Sequence, residues 1–267
     1  MRTRKVGAIV ARAGRAPSVP PPPGATAPGR ARRDSTVWLL DLDNTLHDAS
    51  SEVFPRIHRA MVEFVAVELS LSHADADALR FRYWQRYGAT LLGMVRHHDI
   101  DAHRFLRETH AFPDLERIVR RDRRLEQALR RLPGRRIVLT NAPLDYAVRV
   151  VRALGIARCV EAIVSIESMR FAGRFQPKPS RAMLRRLAAR LGVPAPRCVL
   201  VEDTPANLAA ARAVGMRTVL VTGTTRRSRH GVNRLRVGSS RRIGLQVQSV
   251  AHLPRRPDAQ AVDAVAR

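Results

Sequence analysis

Val37-Trp38-Leu39-Leu40-Asp41-Leu42-Asp43-Asn44-Thr45-Leu46 is the stretch on which the reading of this chain turns. Four apolar residues make a short strand, hydrophobic on both faces, that stops at a carboxylate with a second one two residues on. A strand buried on both faces belongs in the centre of a parallel sheet, and the carboxyl edge of such a sheet is where α/β proteins bind ligands. Two acids at that edge could hold a divalent cation and divide nucleophilic and acid/base work between them. Asn44 and Thr45 read as residues that shape the turn. Short Asp-x-Asp patterns also arise in turns and calcium loops, so the rest of the chain decides.

Outward from this decapeptide the chain alternates short apolar runs with helical patterns. Strands are expected at Ile137–Thr140, Ala162–Ile166, Cys198–Val201 and Thr218–Val221, with helices at Leu144–Leu154, Ser180–Leu191 and Ala206–Val214. Gly155, Gly192 and Gly215 follow those helices directly, where a C-terminal cap is expected. This rhythm predicts an α/β fold: a right-handed, doubly wound parallel sheet. Between Leu46 and Arg136 no comparable strand occurs, and the patterns are helical. Phe54–Leu69 places Ile57, Met61, Phe64 and Val65 on one face, Ser72 can cap Ala74–Tyr87, and Asp101 can cap His103–Thr109. A helical insert after the first strand would project from the carboxyl edge and sit over the acids as a lid. The expected organisation is a core of 36–48 and 121–222, a helical cap over 49–120, and tails at 1–35 and 223–267, with Gly244–Pro254 a candidate for one last strand.

Four strand-end signals line up in order: Asp41 with Asp43, Thr140-Asn141, Lys178 in Gln-Pro-Lys-Pro, and Glu202-Asp203. On one sheet edge they supply a nucleophile, an acid/base, hydroxyl and amide donors, a cation and further carboxylates. Phosphoryl transfer through a covalent intermediate requires such a set. Lys178 stands out for another reason: of 48 basic residues only Lys5 and Lys178 are lysine. A compact ammonium there, in a folded region whose other basic side chains are arginine, suits a place where a guanidinium would not fit.

These motifs resemble those of the haloacid-dehalogenase-like hydrolase superfamily. The match covers about 36–222, and the insert resembles the helical cap of one subgroup. Tyr87-Gly88-Ala89-Thr90-Leu91-Leu92-Gly93, His98, Phe105 and His110 further resemble the pyrimidine 5'-nucleotidase branch, as do Leu139–Ala142, Ile166-Glu167-Ser168, Val201–Thr204 and Asn207-Leu208. The resemblance implies that Asp41 attacks phosphorus and that Asp43 serves as acid and then base. It implies Mg²⁺ held by the Asp41 carboxylate, the Asp43 backbone carbonyl and the Asp203 carboxylate, with Glu202 orienting the site. Thr140 and the Asn141 N–H would bind phosphate oxygens, and Lys178 would neutralise the phosphate while pairing with Asp41. Tyr87 and His98 are the lid residues best suited to contact substrate, since either ring can stack on a base. The implied substrate is a small phosphorylated metabolite, a nucleoside 5'-monophosphate foremost, and a sugar-phosphate phosphatase or phosphomutase is the alternative within the same chemistry.

Composition limits the other classes. No apolar run approaches the roughly 18 residues of a membrane span. Cys159 and Cys198 each lie in an apolar stretch and form no disulfide or zinc framework, which suits a reducing cytoplasm. The formal charge of +25 suggests a different class, a basic nucleic-acid-binding protein on a hydrolase fold. Residues 1–35 hold 8 basic and 1 acidic side chains and residues 223–267 hold 10 and 2. Both segments lack Phe, Tyr and Trp, so they offer no platform for stacking bases, and no specific nucleic-acid partner is expected. The Pro-rich segment 1–35 cannot build a core and reads as disordered.

Overall fold

The computed structural model describes residues 36–223 and 245–253. The tail expectations for 1–35 and for most of 223–267 lie outside the described residues. The central sheet has six parallel strands: β1 (Val37–Leu40), β2 (Arg135–Leu139), β3 (Ala162–Val164), β6 (Cys198–Glu202), β7 (Arg217–Val221) and β8 (Leu245–Val247), in the spatial order β3-β2-β1-β6-β7-β8. Two-residue strands β4 (Arg170–Phe171) and β5 (Arg174–Phe175) form a separate antiparallel hairpin. The fold class is the doubly wound α/β sheet that the strand–helix rhythm predicted, and the terminal stretch supplies a sixth strand at the edge.

Alternation along the strands explains why β1 is apolar throughout. Trp38 and Leu40 point into one core cluster with Val138, Val199, Val201, Val219 and Val221. Val37 and Leu39 point into the opposite one with Ile137, Leu139, Cys198, Leu200 and Leu220. A strand with two buried faces needs apolar residues at both parities. The first layer is covered by α6 (Arg123–Arg131) through Leu125 and Leu129, and by α7 (Leu144–Ala153) through Tyr146, Ala147, Val150 and Val151. The second is covered by α8 (Arg181–Leu191) and α9 (Pro205–Arg212), whose Leu184, Leu187, Leu208 and Ala211 meet the sheet.

Between β1 and β2 lie α1 (Val53–Leu69), α2 (His73–Tyr87), α3 (Thr90–His98), α4 (Ala102–Thr109) and α5 (Leu115–Ile118). Helices α1 to α4 share a core of their own, built on Phe64, Val65, Ala76, Leu91, Met94, Phe105 and Leu106. Ile166 and Phe175, from the end of β3 and from the hairpin, also join that cluster and tie it to the sheet. Ser72 caps α2 by accepting from the Asp75 N–H, and Asp101 caps α4 by accepting from the Arg104 N–H. The N-terminal turns of α1 pack differently: Val53 and Ile57 lie in the sheet's core, together with Phe112, Leu115 and Val119. Helix α1 therefore spans both units, and the chain is back in the sheet's core by Phe112. Among the described residues no helix is long and apolar enough to cross a membrane.

Candidate active site

The site grows out of three adjacent strand ends. Leu40 is level with Val138 on β2 and Val201 on β6, and the Asp41 N–H continues the ladder by donating to the Val201 carbonyl at 3.0 Å. The Thr140 N–H likewise donates to the Val164 carbonyl at 3.0 Å, so the segment after β2 ends on the same edge. Beyond Asp41 the chain coils at once: the Leu46 N–H donates to the Leu42 carbonyl at 2.9 Å. Asn44 takes a left-handed φ of 63°, a conformation that Asn tolerates better than most residues, and its side chain binds Ser50. The turn role expected for Asn44 is its role here.

At the centre is a buried cation between two acids. The Lys178 ammonium donates to Asp41 Oδ1 at 2.5 Å and to Glu202 Oε2 at 2.8 Å, and the three residues are 3%, 6% and 1% exposed. Burial lowers the tendency of Lys178 to hold its proton, but the two carboxylates outweigh it and hold the ammonium above its ordinary range. Burial and the Glu202 charge push Asp41 up to about 7 against the pull of Lys178. Two buried acids share one ammonium, and Asp203 adds a third carboxylate, raised in its turn by burial and by Asp41. The cluster is short of positive charge.

The backbone at Lys178 is held by an amide side chain. Asn141 Nδ2 donates to the Lys178 carbonyl at 3.0 Å, and the Lys178 N–H donates to Asn141 Oδ1 at 2.9 Å. The expected role of Asn141 lay in its backbone N–H; its side chain has this second task, which the sequence did not announce. Thr140 Oγ1 accepts from the Ala142 N–H at 3.0 Å and rounds the turn after β2. Glu167 accepts from the Leu144 N–H at 3.1 Å and so closes the start of α7.

Asp41, Glu202 and Asp203 each offer a carboxylate oxygen, all within 4.8 Å of one another. Glu202 is already engaged: Oε2 takes Lys178 and the Asn207 amide at 2.9 Å, while Oε1 takes the N–H groups of Asp203 and Thr204 at 3.2 Å. Among the described residues Asp41 and Asp203 each keep one oxygen without a protein partner, Asp203 Oδ1 being held by the Thr204 hydroxyl at 3.0 Å. An oxygen-rich set that is short of positive charge and has lone pairs to spare fits a small, hard cation such as Mg²⁺.

Asp43 has a different environment. Burial would raise its pKa, yet hydrogen bonds from His47 and Tyr146 prevail and hold the carboxyl below its ordinary value. Both partners were missed from sequence. His47 is four residues on and was legible only as a neighbour, and Tyr146 is 103 residues away on α7, where it reads as a core residue.

The expected lid residues bond to one another. The Tyr87 hydroxyl is hydrogen-bonded to His97 Nε2 at 2.6 Å, and the Tyr83 hydroxyl to His98 Nε2 at 2.7 Å. Tyr83 stacks on His97 at 5.5 Å between centroids, and Arg86 and Arg96 flank Tyr87 at 5.5 and 5.9 Å. No hydrogen bond joins Tyr87 or His98 to Asp41, Asp43 or Lys178. The link is Gly88, at φ 80°: a Cβ there would lie 3.3 Å from Pro179 Cδ and 3.7 Å from the Lys178 carbonyl. The C-terminal end of α2 therefore abuts the segment that carries the lysine.

Comparison with known proteins identifies the family. A family model described as haloacid dehalogenase-like hydrolase matches residues 37–215. Phosphate metabolism protein 8 of Saccharomyces cerevisiae is 25% identical over 212 residues, 74% of this chain and 64% of that protein, so the chain spans just under two thirds of the yeast relative. A plasmid phosphoglycolate phosphatase of Cupriavidus necator is 28% identical over 199 residues, covering 70% of this chain and 80% of that protein. CbbY from Rhodobacter sphaeroides, solved in complex with phosphate, shares the fold with a TM-score of 0.55 at 20% identity, over 82% of this chain and 96% of that one. Because the family model spans more than half of its length, from the first strand to the end of α9 and beyond, the chain belongs to the haloacid dehalogenase-like hydrolases.

Proposed function

We propose that this hydrolase is a Mg²⁺-dependent phosphomonoesterase acting through an aspartyl-phosphate on Asp41, with a pyrimidine nucleoside 5'-monophosphate as the leading substrate class. The observation that carries the chemistry is the pairing of two aspartates two residues apart in opposite settings. Asp41 is bound to a buried ammonium and Asp43 to the His47 ring and the Tyr146 hydroxyl. Two carboxyls with separate partners at one strand end can divide the work, one as nucleophile and the other as acid/base. The phosphatase relatives support the reaction class.

In this reading Asp41 Oδ2 attacks phosphorus, Lys178 offsets charge on the phosphate, and Asp43 protonates the leaving oxygen. Asp43 then takes a proton from the water that hydrolyses the aspartyl-phosphate. Thr140 and the Asn141 N–H bind phosphate oxygens. The carboxylates of Asp41 and Asp203 and the Asp43 backbone carbonyl would hold Mg²⁺, which supplies charge neutralisation between nucleophile and phosphate. Asp43 separates this chemistry from dehalogenation, which needs no acid at that position. The substrate assignment rests on the Tyr87–His98 segment beside Lys178, where a ring can stack on a base.

A panel of pyrimidine and purine nucleotides, sugar phosphates and phosphoglycolate, assayed with and without Mg²⁺, tests both levels. Metal-dependent phosphate release that is fastest from UMP or CMP is expected. An inert panel overturns the reaction, isomerisation without phosphate release makes the protein a mutase, and a preference for another ester overturns the nucleotide assignment alone.

A further inference from the structure

Asp43 is reached from two elements far apart in the chain, and both arrive at the same atom. His47 Nε2–H donates to Asp43 Oδ1 at 2.9 Å, and the Tyr146 hydroxyl donates to that same oxygen at 2.6 Å. Among the described residues Oδ2 has no protein partner, and the Asp43 side chain keeps 14% of its surface open. A carboxyl group with two donors on one oxygen cannot turn about its last torsion without losing both. The Tyr146 ring is itself fixed edge-on by His110 and Phe112, with centroids 5.6 and 6.3 Å away. His110 is held in place because Nδ1–H donates to the Leu106 carbonyl at 3.1 Å, with the Thr109 hydroxyl at 2.9 Å. For packing alone a phenylalanine would serve at 146; the buried hydroxyl needs a partner, and that partner is Asp43.

We propose that Tyr146, with His47 as second support, is a positioning residue that makes Oδ2 the oxygen through which Asp43 transfers its proton. The inference rests on the phosphatase reading above. In the first half-reaction the bond from Asp41 to phosphorus forms, the ester P–O bond breaks, and a proton that Oδ2 takes up from solvent passes to the leaving oxygen. In the second, water bonds to phosphorus and the aspartyl P–O bond breaks with its electron pair returning to Asp41. The water's proton passes to Oδ2 and from there to solvent, which leaves the carboxylate as it began. Tyr146 and His47 keep their protons throughout and hold the carboxyl's orientation in both steps.

The test uses the dependence on leaving group. p-Nitrophenolate leaves from phosphorus with little help from an acid, whereas an alkoxide needs one, and kcat/KM covers the steps up to release of the leaving group. For p-nitrophenyl phosphate and the fastest alkyl ester of the panel, kcat/KM is measured for wild type, Asp43→Asn, Tyr146→Phe and His47→Gln. Tyr146→Phe keeps the ring between His110 and Phe112 and is expected to lose about tenfold more on the alkyl ester than on the aryl ester, within the range that general-acid catalysis contributes. His47→Gln, which keeps a donor, is expected to show the same selectivity to a smaller degree. Equal losses on both esters, or none on either, by Tyr146→Phe overturn the inference and leave the phosphatase reading standing. Wild-type protein inactive on both esters, or equal losses by Asp43→Asn, overturns that reading and the inference with it.

Discussion

The carboxyl edge of the sheet and the tyrosine–histidine cluster on α2 and α3 are both rich in polar side chains, yet they are built in opposite ways. At the sheet edge each contributor sits at or just beyond a strand end, and the central ammonium is buried with carboxylates on two sides. In the cluster Tyr83, Tyr87, His97 and His98 pair with one another across two consecutive helices, with His97 exposed and the others half-buried. Groups fixed by a ladder from several strands are suited to holding reacting atoms, because little reorganisation is needed when charge develops. Rings that pair locally on a surface can exchange partners at small cost, which suits recognition of varied ligands. The proposed function puts the chemistry in the first region and the choice of substrate in the second.

Substitutions can break this contrast, starting where the effect is largest. Asp41→Asn removes the nucleophile and is expected to cost at least a thousandfold in turnover, about 4 kcal/mol or more, measured as phosphate release. Lys178→Met leaves Asp41 and Glu202 as an unneutralised buried pair. It should lower the stability of the metal-free protein by about 3–5 kcal/mol in urea unfolding, as breaking a buried ion pair by removing one partner does. Asp203→Asn leaves the Lys178 triad intact but removes a carboxylate oxygen; the Mg²⁺ concentration for half-maximal activity should rise about tenfold or more, by analogy with the 10–100-fold cost of disturbing a metal site's supporting shell. Tyr87→Ala and His98→Ala test the other side of the contrast. They should shift KM and the preference among nucleotides by about 1 kcal/mol, the scale of a ring–ring contact, while affecting kcat less.

A pH dependence sharpens the picture on the side of the fold nearest Asp43. Burial pushes His110 down to about 4, against the pull of Asp43, and burial lowers His58 as well. A histidine whose folded pKa lies below the unfolded value of about 6.5 must stay neutral while the unfolded chain takes up protons. Stability from this source is complete above about pH 6.5 and is lost as pH falls toward 4. Urea midpoints should therefore drop between pH 7.5 and 5.0, and His110→Asn should flatten part of that slope. An equally steep slope in the variant would place its origin elsewhere.

Much of this arrangement is legible in the sequence for one physical reason: strands buried on both faces leave unbroken apolar runs. Val37–Leu40, Cys198–Val201 and Thr218–Val221 stand out for this reason, and the acids that follow the first two mark the carboxyl edge. Local capping is legible too, as Ser72 and Asp101 demonstrate. Helix α3 is harder to read because Gly93 interrupts it. Tyr83 packs so closely there that a Cβ would lie 2.1 Å from its ring, so the glycine answers to packing against α2 and not to helix propensity. Helix α6 offers only Leu125 and Leu129 among arginines, too thin a stripe to stand out. Tyr146 is the instructive miss. Its apolar ring fits the periodicity of α7, and nothing in one sequence reveals that its hydroxyl ends on a carboxylate 103 residues earlier.

The central claim is that Asp41 carries the phosphoryl group and Asp43 handles the protons. Mixing Asp43→Asn protein with p-nitrophenyl phosphate and Mg²⁺, quenching in acid and mapping peptides by mass spectrometry tests both halves at once. The nucleophile remains, the leaving group needs little acid, and the base for the second step is gone. The account predicts one rapid burst of p-nitrophenol per active site and a phosphate on Asp41. Steady release without a burst, or a phosphate on any other residue, would contradict it.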